Sequence, residues 1–377
     1  MNTLDRYIAR QYLTNILVLF VVLFAFVLVI DFSLNFDEFV KIAQKLTEAD
    51  ARPASSVRTG ALAVFLLLDL WWPRLFLLFG YLLGLVLVGA MGFTCTQMVR
   101  HREFVAILAS GQSLHRVARP MLIVAVGMLV LQGINREVLL PRLAPLLTRD
   151  KQDAGKRELG VARRQLASDS AGRLFYAQAF DLDSGTIEGL WVWERDAEGL
   201  MTRLTTASSA RWAGGAWRLA DAESVSRLPT RNGPPQAHPA TLETDLDPAA
   251  FRLLRYESFR QNLSSRQIGE LIDRYQASPT PPLAKIDAVE RVRWGRYADL
   301  LSGILTLCVA FAFYLRREPT NMLLQSLYAA PIVIVLIVAG VLGTTAAIPG
   351  LPPQLAVFIP VIAQIPLAIV AYTSVRT

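Results

Sequence analysis

The side chains best suited to chemistry in this 377-residue sequence are few, and their spacing is wrong for catalysis. His101 and His115 have no cysteine near them, and His238 sits in a proline-rich stretch, whereas metal sites need ligands at short, repeated spacings. Cys95 and Cys308 each fall inside an uncharged run, so there is neither a CxxC pair nor a disulfide framework. Gly155-Lys156 is followed by Arg157 and lacks the upstream glycine of a phosphate loop. No HExxH or GxSxG pattern occurs. The residues imply no cofactor and no catalytic metal. Basic residues are scattered along loops that flank apolar runs, which argues against a nucleic-acid surface.

The most informative polar segment is Arg100–Pro120. Within it, Phe104, Ile107 and Leu108 stand at i, i+3 and i+4, which predicts a short amphipathic helix over about 101–111 that stops at Gly111. Glu103 falls in its first turn, where the helix dipole favours a carboxylate. Two readings follow. Either the helix lies on a membrane surface, or it docks into a cytoplasmic partner with Glu103 meeting a basic residue there. A second set, Lys41, Arg74, Arg136 and Arg142, lies where apolar runs meet polar sequence. These residues either pair with lipid phosphates or anchor helix ends at the headgroups.

The elements that must position these residues are membrane spans. The chain is 53% apolar and 18% charged, with net charge +7, and its mean hydropathy is +0.38. A soluble domain averages about 45–50% apolar and about 25% charged. The excess is concentrated, because residues 11–30, 75–99 and 319–375 carry no charge at all. About 20 helical residues cross a hydrocarbon core about 30 Å thick, so the last stretch holds two spans, divided at Ile348-Pro-Gly-Leu-Pro-Pro353. Pro120–Asn135 and Tyr297–Leu315 are weaker candidates with arginines at their edges. Gly60–Val99 is long enough for two helices around Asp69, Pro73 and Arg74. A single span there places Arg6, Arg10, the Arg100–Arg119 loop, Arg316-Arg317 and Arg376 on one side, as the excess of Lys and Arg in cytoplasmic loops requires. The expectation is therefore six transmembrane helices with both termini cytoplasmic, Val57–Trp72 being a partly interfacial lead-in. Gly80-Tyr-Leu-Leu-Gly84 is a GxxxG step, read either as a close helix contact or as a chance pair. Ionisable pairs within the spans are nearly absent, which leaves an intramembrane enzyme without a site.

Residues 136–296 form one hydrophilic insert, outside the cytoplasm on this count. Leu174–Phe180, Gly189–Trp193, Met201–Thr206 and Ala216–Leu219 read as strands, separated by turn signals at Asp183-Ser-Gly185, Asp196-Ala-Glu-Gly199 and Gly214-Gly215. The last is a two-residue hairpin turn that sets Trp212 opposite Trp217. Together they suggest an antiparallel sandwich or roll. Leu228–Pro248, with its prolines, reads as a loop. Leu263–Tyr275 reads as a helix capped by Ser264 or Ser265 and stopped at Pro279–Pro282, and a second helical stretch, Leu283–Trp294, leads into the fourth span.

In these features the whole chain resembles the LptF/LptG permease family, the membrane subunits of the lipopolysaccharide-exporting ABC transporter. The match rests on the opening Leu4-Asp5-Arg6-Tyr7-Ile8, the loop Arg102–Gly111, Asn135-Arg136-Glu137 with Pro141, the strand block, the Leu263–Tyr275 helix and six spans in that order. The opening is nearer to LptG than to LptF. The resemblance implies an α-helical membrane protein with six transmembrane helices and an inserted all-β, jellyroll-like periplasmic domain. Its parts would be 1–135 (spans one to three), 136–262 (the β domain), 263–296 (a helical connector) and 297–377 (spans four to six). It implies a non-catalytic subunit of the bacterial inner membrane that extracts lipopolysaccharide or a related lipid and passes it to a periplasmic bridge. The implied partners are an LptB-like ATPase dimer, an LptF/LptG-type paralogue, and LptC-like and LptA-like periplasmic proteins. Arg102, Glu103, Phe104, Ile107, Leu108 and Gly111 take the place of the coupling helix, and the strands would carry acyl chains past Phe175, Phe180 and Trp191. Two departures stand out. Asp31, Asp37 and Glu38 occupy the outer end of the first span, where the family often carries basic residues, and Tyr297–Ser302 lacks the usual proline. The competing reading is a membrane sensor or scaffold whose extracytoplasmic β domain binds a ligand or partner.

Overall fold

The computed structural model describes residues 2–49, 56–147, 162–169, 171–181, 184–196, 200–227, 233–237, 239–255, 260–277, 281, 283–315 and 322–374. Helices α1 (Thr3–Ala49), α2 (Ser56–Arg100), α3 (Glu103–Ala109) and α4 (Leu114–Ile134) come first. A π-helical turn (Asn135–Leu139) follows α4, then α5 (Leu140–Leu147). Strands β1 (Ala162–Ser168), β2 (Leu174–Asp181), β3 (Thr186–Arg195) and β4 (Met201–Ala213) lead to β5 (Ala216–Ala220), β6 (Glu223–Ser226), β7 (Gln236–Ala237) and β8 (Thr241–Glu243). The chain closes with α6 (Pro248–Arg255), α7 (Ser265–Ala277), α8 (Leu283–Tyr314), α9 (Met322–Thr345), α10 (Pro353–Ala356) and α11 (Ile359–Ser374). These elements gather into two compact units, Met1–Arg142 with Glu290–Thr377, and Leu143–Val289.

Among the described residues, six helical segments are long and apolar enough to cross a membrane. The ambiguous Gly60–Val99 stretch is a single helix, α2, which continues through Pro73 without a break. The weak third candidate is extended at both ends into the helical segment Leu114–Ala144. Along α1, Ile8, Tyr12, Ile16 and Phe20 recur every four residues and are at most 5% exposed, so they form one stripe facing the bundle. The opposite face leaves Val21 and Phe26 exposed, as a helix bathed in lipid requires. The Tyr12 hydroxyl donates to the carbonyl of Leu87 at 2.9 Å, tying α1 to α2 at the middle of the stripe. Among the last spans, the Ser302 hydroxyl donates to Gln364 Oε1 (3.0 Å) and Gln364 Nε2 to the Leu336 carbonyl (3.2 Å), which pins α8, α9 and α11 together by polar contacts.

Close backbone approach occurs on α2, but only partly where the GxxxG step suggests. At Gly80 the carbonyl accepts a 2.9 Å hydrogen bond from Gln132 Nε2, whereas Gly84 faces open space. The tight positions are Gly89 and Gly92. A Cβ there would stand 3.0 Å from Leu19 and from Tyr314 respectively.

In the second unit the strands form a single antiparallel sheet in the order β1-β2-β3-β4-β5-β8, with β6 paired to β4 and β7 to β6. The Gly214-Gly215 turn has positive φ at both residues, the geometry that suits a tight hairpin. It sets Trp212 opposite Trp217 with ring centroids 5.3 Å apart. Alternation places Phe175 and Ala177 of β2 and Leu190 and Val192 of β3 inside. At Gly189 (φ +64) the inward phase slips by one residue, so Ile187 and Phe180 also point in. Trp191 therefore lies on the other face, 45% exposed against Tyr176 and Trp193. Its grouping with Phe175 and Phe180 as one lining is corrected on that ground. Phe175 and Phe180 are fully buried against Phe251 of α6.

One further reading changes and two become more exact. Leu228–Pro248, expected to be loop, contains β7 and β8, and β8 places Leu242 beside Trp217. Leu283–Trp294 is helical and leads into the fourth span as the sequence suggests, the two forming one continuous α8. Of the two candidate caps of α7, Ser264 serves. Its Oγ accepts from the Gln267 N–H (3.2 Å) while Gln267 Oε1 accepts from the Ser264 N–H (2.9 Å), a reciprocal capping box. Asp183, Ala197–Gly199, His238, the Pro279-Thr280 and Pro282 positions, Arg316-Arg317 and Arg376 lie outside the described residues.

Candidate functional site

The loop between α2 and α4 is built around a helix of about two turns, held at both ends by left-handed residues. Arg102 (φ 57) precedes α3 and Gly111 (φ 75) follows it. At the C-terminus the Gly111 N–H bonds to the Leu108 carbonyl and the Gln112 N–H to that of Ile107. This paired closure needs an αL residue, and glycine supplies it without strain. The predicted i, i+3, i+4 face is the one that packs inward. Phe104 and Ile107 are 4% and 6% exposed, in one core with Met98 of α2 and Leu114 and Val117 of α4, and Leu108 packs partly against it. Arg102, Val105, Ala106, Ala109 and Ser110 remain exposed. Phe104 and Ile107 thus seat the helix on its own bundle, and the surface open to another molecule is the complementary face.

Glu103 stands at the border of these faces. Its Oε1 accepts a 2.8 Å hydrogen bond from the hydroxyl of Tyr7 in the second turn of α1. Sequence spacing carries no sign of this contact, although Tyr7 belongs to the opening motif. On the far side of the loop, Asp5 of α1 lies 4.0 Å from Arg116 Nε in the first turn of α4. His115 packs its ring edge-on against Tyr372 (4.9 Å), while His101 is exposed, so the two histidines do not converge.

The other polar constellation joins the third and fourth spans. Arg136 Nη1 lies 2.9 Å from Asp299 Oδ2, and Arg296 Nη1 lies 2.5 Å from Glu137 Oε1, a crossed double ion pair between the π-helical turn and α8. Beside it the Asn135 amide donates to the Phe76 carbonyl at 2.8 Å. A π-turn inserts one residue and re-aims the side chains after it, which here lets Arg136 and Glu137 face α8 together. The expectation that ionisable pairs are nearly absent from the spans is corrected by this cluster. The pairs neutralise one another, so they do not assemble a catalytic acid and base. Arg74 lies over the Trp71 ring (5.6 Å), whose Nε1 donates to Asp31 Oδ2 at 2.7 Å. Lys41 and Arg142 are exposed. The four basic residues considered for lipid phosphate are thus two exposed and two engaged within the chain.

Arg136 and Asp299 are partly exposed, at 18% and 30%. Breaking a pair costs about 3–5 kcal/mol when it is buried and about 1 kcal/mol or less at the surface, so Arg136→Ala is expected to destabilise by about 2 kcal/mol. Arg136→Ala with Asp299→Ala is expected to recover most of that loss, because no uncompensated carboxylate remains. Thermal unfolding in detergent of the single and double variants checks this, and additive losses would contradict it.

A family model, the lipopolysaccharide export system permease LptF/LptG, matches residues 53–374. The chain belongs to the LptF/LptG family. The matched region takes in the α3 loop, the crossed ion pairs, the sheet and the last five spans, and leaves outside it the whole of α1 with the opening motif. No curated protein matches the chain. Family membership and six apolar helices together mark a multi-pass membrane protein and a non-catalytic transport subunit.

Proposed function

We propose that the protein is a permease subunit of an ATP-driven transporter that extracts lipopolysaccharide, or a related lipid, from the bacterial inner membrane and passes it to a periplasmic bridge. The observation that carries the reading is α3. It is a short helix seated by Phe104 and Ile107 on the bundle of an LptF/LptG-family chain, with its other face open and a carboxylate at its edge. A separate LptB-like ATPase dimer grips that face, meeting Arg102, Glu103 and the exposed turn that ends at Gly111, while Phe104, Ile107 and Leu108 carry its movement into the spans. Each conformation of the bundle must be favoured by a different set of contacts, and ATP binding in the partner supplies that difference.

In this reading the chain pairs with an LptF/LptG-type paralogue. Both termini lie in the cytoplasm and residues 136–262 form a jellyroll-like domain in the periplasm, which the helical connector 263–296 joins to the last three spans and from which LptC-like and LptA-like proteins take the lipid onward. Lys41, Arg74, Arg136 and Arg142 meet the phosphates of the lipid; Arg136 then exchanges the Asp299 carboxylate for phosphate.

The test is extraction in mild detergent followed by identification of bound subunits and lipid. The expected result is a stable complex with an ATPase and a phosphorylated glycolipid. A chain that purifies with neither acts as a sensor or scaffold, and the proposal fails. Photo-crosslinkers at Lys41 and Arg142 that never capture lipid would remove the phosphate-contact part alone.

A further inference from the structure

Tyr7 and Glu103 are 96 positions apart in the chain, and their 2.8 Å bond links the first span directly to the α3 helix. Hydrogen bonds to an ionised carboxylate are about twice as strong as those between neutral groups. Packing alone does not account for the tyrosine. Its ring is 46% exposed, and the core positions of this part of α1 are filled by Ile8 and Tyr12. The hydroxyl is what joins α1 to α3.

The surroundings of this link are arranged for movement. Asp5 reaches Arg116 on α4, so the tip of α1 touches both flanks of the loop that holds α3. That loop is jointed at two left-handed residues, Arg102 and Gly111, and the arginine occupies a conformation that costs a non-glycine residue energy. A cleft of about 600 Å³ lies between the tip of α1 and the start of α4, lined by Asn2, Asp5, Gln112, Ser113, Arg116 and Arg119. Finally, the apolar middle of α1 is the least buried of the six span middles, although its inward stripe packs on α2 and α4. Only 11% of its most apolar stretch is buried, against 39–44% for the next three spans.

We propose that Tyr7 is a positioning residue for transport: through its bond to Glu103 it transmits displacement of α3 to α1. This rests on the coupling role given to Glu103 above. Phe104 and Ile107 carry force into the bundle as a whole, whereas the Tyr7–Glu103 bond selects one span. The coupling requires that the bond hold in one conformation of the transporter and be lost or redirected in the other, for instance when a cation of the ATPase takes up the Glu103 carboxylate.

The experiment compares Tyr7→Phe, Glu103→Ala and the double variant in the full complex reconstituted in vesicles. Tyr7→Phe keeps the ring, so normal yield, normal ATPase association and an unchanged rate of ATP hydrolysis in detergent are expected. Lipid released per ATP hydrolysed is expected to fall about tenfold, the effect of losing one hydrogen bond to a charged group. The double variant is expected to match Glu103→Ala alone, because both substitutions cut the same link. Normal lipid release per ATP in Tyr7→Phe, with Glu103→Ala uncoupled, would overturn the proposal and leave the role of Glu103 intact. Loss of the ATPase from Tyr7→Phe would also overturn it, placing Tyr7 in the grip itself. Normal release by Glu103→Ala would instead remove the coupling reading on which both depend.

Discussion

Glu103→Ala is expected to leave the protein inserted and its complex assembled while ATP-driven lipid release falls about 10- to 100-fold. The range follows from the loss of about 1.5–3 kcal/mol that accompanies removal of a hydrogen bond to a charged group. The helix itself survives the change. Alanine is a good helix former, and the seat of α3 is made by Phe104 and Ile107, which the substitution does not touch. What disappears is the carboxylate that accepts from Tyr7 and, in the proposed complex, faces a basic residue of the ATPase. The effect should therefore lie in lipid released per ATP, with ATP hydrolysis itself persisting. Reconstituted vesicles loaded with lipid acceptor measure both quantities on one sample. Wild-type release by Glu103→Ala would refute the role.

The α3 helix was readable because its signals are local. Three apolar residues at helical spacing and one glycine are enough, and each does in the structure what the spacing implies. What the spacing cannot give is the direction in which the apolar face points. A docking helix and a helix seated on its own bundle share one periodicity, and only the burial of Phe104 and Ile107 separates them. The crossed ion pairs escaped for a related reason. Arg136 and Glu137 are adjacent in sequence, and both face α8 only because a π-turn replaces the regular helix there, while their partners Asp299 and Arg296 lie on a different span. Hydropathy recognised Asp299 as a charge close to a span end but could not supply its partner.

In the β unit, legibility follows composition. Strands β2 to β5 are rich in aromatic and aliphatic residues and were recognisable, as was the double-glycine turn. β1 (Ala-Arg-Arg-Gln-Leu-Ala-Ser) is an edge strand that carries little apolar signal, and β7 and β8 are too short to show periodicity. By contrast α6 carries a clear start signal in its sequence. Asp247 caps it, its Oδ1 accepting from the Ala250 N–H at 2.6 Å, and Pro248 takes the first helical position. Its Phe251 completes the core between Phe175, Phe180 and Trp217.

That core sets the second large effect. Trp217 is fully buried, packed edge-to-face against Trp212 (5.3 Å) and Phe251 (5.8 Å), and its Nε1 donates to the Leu246 carbonyl at 2.7 Å. Trp217→Ala removes the ring and leaves that carbonyl without its donor, for an expected loss of about 3–5 kcal/mol. A domain is stable by only about 5–15 kcal/mol in all, so the sheet should open at moderate temperature. The loss should stay within the unit Leu143–Val289, because every member of this core comes from that unit, and the core of the spans draws none of its members from it. Limited proteolysis in detergent should then cut Trp217→Ala between residues 162 and 255 while the helical segments stay intact. Trp217→Phe keeps a buried ring and gives up the hydrogen bond, so a smaller loss, about 1–3 kcal/mol, is expected from it. If Trp217→Ala resists protease as the unaltered protein does, the sheet does not depend on this core. If it is cut and the complex still binds its ATPase and hydrolyses ATP while lipid transfer stops, the β unit acts after the ATP-driven step. That order of events is what a subunit handing lipid onward from the membrane requires.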